Sequence, residues 1–146
     1  MAELFPDEGM DLIIACIPKN GTNYANMYVG LFTSQTASTV PGASAVLATQ
    51  TGVTEHANSN GYARQTIAAA SWGATASGGG GRQTAGPQVT FTATGNWTAV
   101  NGFFLATSAT IAAGVAFLYA NFDDTTARTL VNGDRLLLTP TWRLLG

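Results

Sequence analysis

The chain holds one histidine and one cysteine among its 146 residues, so the groups that could do chemistry are few and can be taken one at a time. His56 lies in Thr54-Glu55-His56-Ala57-Asn58, between glycine-rich turns. A nucleophile-His-Asp arrangement with Asp123 or Asp134 as the orienting acid is arithmetically open. No Gly-x-Ser-x-Gly elbow accompanies it, and the residues around His56 read as an exposed loop. Cys16 sits in the apolar run Leu12-Ile13-Ile14-Ala15-Cys16-Ile17 and reads as a small buried hydrophobe. A lone thiol forms no internal disulfide, and one His with one Cys is a poor start for a zinc site. Asp123-Asp124 lacks the alternating acids of a calcium loop and reads as a turn. Gly78-Gly79-Gly80-Gly81 could cradle an anion through its amides. A phosphate loop ends in Gly-Lys-Ser/Thr and opens a helix, whereas here Arg82-Gln83-Thr84 follows and a strand comes next. The run therefore reads as a flexible loop. The expectation is a protein that is not an enzyme, with no catalytic residue, no bound metal and no cofactor.

The large aromatics are the other candidates. Trp72, Trp97 and Trp142 each border a predicted strand and could form a stacking platform, a core or an interface. Trp97, expected in the turn after the third strand of the region below, and Trp142, beside Pro140, are the candidate interface anchors. A core position is the competing reading for each. Charge points to association. Only 10% of residues are charged, against roughly 25% in an ordinary soluble domain. Lys19 is the one lysine, and Thr, Ser, Asn, Gln, Ala and Gly take the place of the missing charges. A neutral polar surface costs little to desolvate and does little to keep copies apart. Compositional bias of the source genome is the competing explanation. Six basic against eight acidic residues, net −2, provide no electrostatic footprint for nucleic acid. The first eight residues lack the basic start of a signal peptide, and no apolar run approaches the roughly 20 residues that span a bilayer. Synthesis in the cytosol, without membrane partners, is expected.

Those residues must be positioned by local structure. Asp7 and Glu8 followed by Met10, Ile13, Ile14 and Ile17 at helical spacing predict a short helix over 7–17, stopped by Pro18 and Asn20-Gly21. Extended runs follow at 27–33, 62–68, 88–94, 99–107, 115–122, 128–131, 135–139 and 141–145. Met27, Val29 and Leu31 alternate with Tyr28 and Phe32. Val89, Phe91 and Ala93 alternate with Thr90, Thr92 and Thr94, the pattern of a half-buried strand. The 115–122 run is apolar on both faces and is expected to be central, while 128–131 reads as a short edge. Asn132-Gly133-Asp134 is a turn, and Pro140 must fall at a bulge or an edge. Residues 34–60, with Pro41-Gly42, are expected to carry a short strand or an arm and 74–87 to be a flexible loop; both are too long and polar for compact connections and are expected to order against neighbouring molecules. Many short strands with one helix predict a single domain, 1–146. Its fold class is all-β: an antiparallel β-sandwich of immunoglobulin-like or jelly-roll type, with one short N-terminal helix and long Gly/Thr-rich loops.

The order of short motifs carries a resemblance. A helix leads to Asn26-Met27-Tyr28-Val29-Gly30-Leu31-Phe32-Thr33-Ser34. Then come Gly61-Tyr62-Ala63-Arg64-Gln65-Thr66, Ser71-Trp72-Gly73, Val89-Thr90-Phe91, Gly102-Phe103-Phe104-Leu105 and Leu130-Val131-Asn132-Gly133-Asp134-Arg135-Leu136. From about Asp11 onward this series resembles a broad group of small virion proteins of tailed bacteriophages. The resemblance implies a β-sandwich in the particle: a capsid decoration (cement) protein bound to the shell of major capsid protein, or a tail-fibre or other tail-associated protein. It implies a homo-oligomer, a trimer at local threefold points, made in the host bacterial cytoplasm and located on the virion. It carries over no catalytic residue. A carbohydrate-binding module is the competing class, and would present aromatics on one exposed face.

Overall fold

A computed structural model describes residues 24–35, 46–48, 53–74, 76–78, 81–122 and 126–145. The helix expected over 7–17 with Cys16, the Asn20-Gly21 and Pro41-Gly42 turns, Gly79-Gly80 and the Asp123-Asp124 pair lie outside the described residues. Twelve strands are described: β1 (Asn26–Gln35), β2 (Val53–Glu55), β3 (Gln65–Ala68), β4 (Ala76–Gly78), β5 (Gly81–Ala85), β6 (Val89–Thr92), β7 (Trp97–Val100), β8 (Gly102–Ala106), β9 (Ala116–Asn121), β10 (Arg128–Leu130), β11 (Arg135–Leu138) and β12 (Thr141–Leu145). A single 3-10 turn, Ala69–Ser71, follows β3. Every pairing is antiparallel, and the chain is all-β as its alternation predicts.

β1 organises the main sheet. One edge pairs with β3 through Asn26–Val29 and with β2 through Phe32–Gln35, and the other pairs with β8, beyond which lies β9. Alternation then sorts the side chains. Val29, Leu31, Ile67, Phe103, Leu105 and Ala120 form one buried face. They pack on Val89, Phe91, Ala93, Trp97, Val100 and Leu130, from β6, β7, β10 and the turn after β6. Two antiparallel ribbons, β6–β11 and β7–β10, thus form the second layer over this face. The opposite face of the main sheet holds Phe32, Phe104, Ala106, Ala116 and Tyr119, with Leu47 and Val53 packed on it. Burial of both faces leaves β8 without an exposed residue. On area burial alone, each of its large side chains contributes about 1.5–3 kcal/mol.

Three features differ from the sequence reading. The 115–122 run is buried at Ala116, Tyr119 and Ala120, yet among the described strands β9 stands last in the sheet, with Val46 bridged to Val115 just before it, and β8 takes the inner place. Apolar residues on both faces report what covers a strand above and below, not what pairs with its edges. The 99–107 run is broken at Asn101. Residues before it pair with β10 in the second layer, and residues after it pair with β1 in the first. Asn101 pins this crossing. Its N–H donates to the Phe32 carbonyl, its carbonyl accepts from Phe122 N–H, and its side-chain amide donates to the Thr33 carbonyl. Finally, 74–87 is not only loop. β4 and β5 pair with each other, and β5 with β12. A ladder needs only backbone N–H and C=O groups, so a glycine-rich segment can join a sheet when a partner strand lies alongside. Within the 34–60 excursion, β2 is the short strand that was expected.

Gly30 explains a glycine inside an apolar strand. It pairs with Phe104, whose ring lies across it: a β-carbon there would come 2.1 Å from Phe104 Cζ. The missing side chain is the space that the ring occupies.

Candidate functional site

The most highly bonded group of side chains gathers under the Gly61-Tyr62-Ala63-Arg64 motif. Asn60 (φ 52°) and Gly61 (φ 82°) are both left-handed, and Tyr62 N–H donates to the Ser59 carbonyl at 3.0 Å. Two successive left-handed residues make a tight turn for which Asn-Gly is the favoured pair. The turn delivers Tyr62 and Arg64 into the protein, with Ala63 exposed between them.

Arg64 meets Glu55, the last residue of β2. Nε donates to Glu55 Oε1 and Nη2 to Oε2, both at 2.7 Å, with side-chain exposures of 0% and 9%. This is the paired, planar fork that a guanidinium forms with a carboxylate. Nη1 donates to the carbonyls of Ser108 (2.7 Å) and Ala113 (2.9 Å), and the guanidinium lies 5.2 Å from the centre of the Phe104 ring. Glu55 also accepts from Ala112 N–H at 3.0 Å and from the Tyr62 hydroxyl at 3.0 Å. That hydroxyl in turn accepts from Leu31 N–H at 2.9 Å. A buried ion pair is tolerable only when its remaining donors and acceptors are also met. Here they are met by the Tyr62 hydroxyl and by backbone of the 108–113 turn, where Ala112 is held at φ 55°. The network fastens β2, the tight turn and the 108–113 turn together.

Burial, and then the neighbouring Glu55 carboxylate, push the Tyr62 phenol well above its ordinary value near 10. The folded chain therefore keeps a proton that the unfolded chain releases above about pH 10, so the contribution of Tyr62 to folding stability is constant below that pH and falls as pH rises past it. Tyr62→Phe is expected to lower stability at neutral pH by about 1–3 kcal/mol, because Leu31 N–H and Glu55 each lose a partner. The variant should also show a shallower alkaline decline. Urea unfolding on either side of about pH 10 checks both effects.

His56 is a correction. It was expected in an exposed loop, but is 5% exposed. Its backbone N–H donates to the Leu31 carbonyl at 2.8 Å, which extends the β1 pairing one residue past β2 and carries the ring inside. There it lies 4.9 Å from the Tyr62 ring and 4.8 Å from the Trp97 ring, with Nδ1 2.9 Å from the Ala57 carbonyl. Asp134 is occupied elsewhere: its carboxylate accepts from Val131 N–H at 2.9 Å and closes its own turn.

Trp97 is a second correction. It opens β7 rather than occupying a turn, is 1% exposed, and donates through Nε1 to the Asn60 carbonyl at 2.8 Å. An indole so enclosed has no surface to give a partner, which removes it as an interface anchor. Trp72 and Trp142 are half-buried and pack against the same core. The three tryptophans therefore form no shared exposed platform. Among the described residues no group of three or more His, Cys, Asp or Glu side chains gathers as a metal site, and no helix is long and apolar enough to cross a membrane.

Sequence reasoning passed over Glu55 and Arg64 as a pair. The available signal was their placement: in a chain so poor in charge, an acid closes the short run Val53-Thr54-Glu55 and a base stands just before Gln65-Thr66-Ile67-Ala68. The chain matches no known protein family and no curated protein.

Proposed function

We propose that the chain is a capsid decoration protein of a tailed bacteriophage, a symmetric homotrimer that seats on the shell of major capsid protein and stabilises the head. The observation that carries this reading is the composition of the outer surface. The chain has few charges, and the network under Arg64 turns one acid and one base inward. Val131 and Leu137, 52% and 54% exposed, add apolar area to the outside. Such a surface associates at little desolvation cost, and a repeating lattice multiplies modest contacts through avidity. The motif order that resembles phage virion proteins supports the same reading. A carbohydrate-binding module has less support, because Trp97 belongs to the core and the tryptophans, all three among the described residues, share no exposed face.

The test is sedimentation of the purified protein with empty heads of its source phage, together with light scattering of the protein alone. A trimer that co-sediments in many copies per head is expected. Trp142→Ala, at the remaining anchor candidate, is expected to weaken shell binding by roughly tenfold or more. A monomer that fails to bind heads overturns the reading. A handful of copies at one vertex or on the tail assigns the protein to the tail instead.

A further inference from the structure

We infer that Asn132 is a site of spontaneous covalent modification, at which the folded chain converts an asparagine to aspartate and isoaspartate. The described residues contain three Asn-Gly pairs, and their surroundings differ. Asn60 is held: its side-chain amide donates to the Asn96 carbonyl at 3.1 Å, and its own carbonyl accepts from Thr94 N–H and Trp97 Nε1. Asn101 is held at the layer crossing, with its amide on the Thr33 carbonyl and Gly102 inside β8. Asn132 is exposed in the turn between β10 and β11, and its side-chain amide makes no hydrogen bond among the described residues. Gly133 beside it takes φ 93°, and a β-carbon there would meet nothing within 4 Å. A single hydrogen bond restrains the nucleophile, from Gly133 N–H to the Ala93 carbonyl at 2.8 Å.

The reaction needs only water. The Gly133 backbone nitrogen attacks Asn132 Cγ, and a C–N bond forms. The side-chain nitrogen leaves as ammonia, taking up the proton that the Gly133 nitrogen gives up, and a succinimide closes. Water then adds at either ring carbonyl and opens it to aspartate or to isoaspartate. Either product places a new carboxylate two residues from Asp134. Isoaspartate also lengthens the backbone by one atom, in a turn that is fastened by Gly133 N–H to the Ala93 carbonyl and by Ala93 N–H to the Asp134 carbonyl, at 2.9 Å. Those two bonds hold the start of β11 to the end of β6, so the isomer loosens that ribbon.

The experiment ages the full folded chain in mildly alkaline buffer and follows each Asn-Gly peptide by mass spectrometry, with fragmentation that separates aspartate from isoaspartate. The peptide holding Asn132 is expected to react at least roughly tenfold faster than those holding Asn60 and Asn101, since the latter must first open local structure. In urea the three should react at similar rates. Aged protein should lose amide-exchange protection along β11 beyond any loss in a fresh Asn132→Asp variant, and an Asn132→Ser variant should not age there. Equal rates at the three sites in the folded chain, or an Asn132 that survives folded while it reacts in urea, would overturn the inference.

Discussion

Replacing Arg64 by methionine is expected to lower the unfolding free energy by about 3–5 kcal/mol, the range for removing one partner of a buried ion pair. Methionine keeps much of the side chain's length but leaves the Glu55 carboxylate enclosed without its cation. It also takes the donor from the Ser108 and Ala113 carbonyls and the cation from the face of Phe104. The 108–113 turn, with Ala112 in a left-handed conformation that costs about 1 kcal/mol or more, then loses part of what holds it. Urea unfolding gives the magnitude. The double variant Glu55→Leu/Arg64→Met should be more stable than Arg64→Met alone, because no charge is left stranded. A loss below about 1 kcal/mol for Arg64→Met would mean that the pair behaves as a solvated surface bridge.

Trp97→Ala is expected to cost about 3–5 kcal/mol, the usual loss when a buried indole becomes a cavity. The cavity would open between Tyr62, His56 and Leu130: the rings lie 5.9 and 4.8 Å from the indole, and Leu130 is its partner in the β7–β10 ladder. Trp97→Phe should lose less. Phenylalanine fills most of the space, and the Asn60 carbonyl keeps its bond from Thr94 N–H. Thermal unfolding of the separated protein at several concentrations distinguishes this core role from an interface role. A core residue lowers the melting temperature equally at every concentration. An anchor between copies would leave the monomer unchanged and alter only association.

Both variants probe what local pattern leaves open. Val89, Phe91 and Ala93 against Thr90, Thr92 and Thr94 is a period of two, and the structure buries the first set and exposes the second. Val29 and Leu31 point to the core for the same reason. The Asn132-Gly133-Asp134 turn follows from its residue types. These properties depend on neighbours along the chain, so the sequence by itself determined the all-β class, most strands and which face of each is apolar.

Only the tertiary structure decided the rest, since the deciding partners are distant in sequence. Arg64 is buried because Glu55 and the carbonyls of Ser108 and Ala113 converge on it, from 9, 44 and 49 residues away. His56 and Trp97 are enclosed because both meet Tyr62. Whether Gly81–Ala85 is loop or strand depends on β12 arriving beside it. The break at Asn101 depends on which backbone each half finds to pair with. Alternation reports the apolar side of a strand, while the identity of the strand alongside, and the charges that can be met inside, are set by the assembled chain.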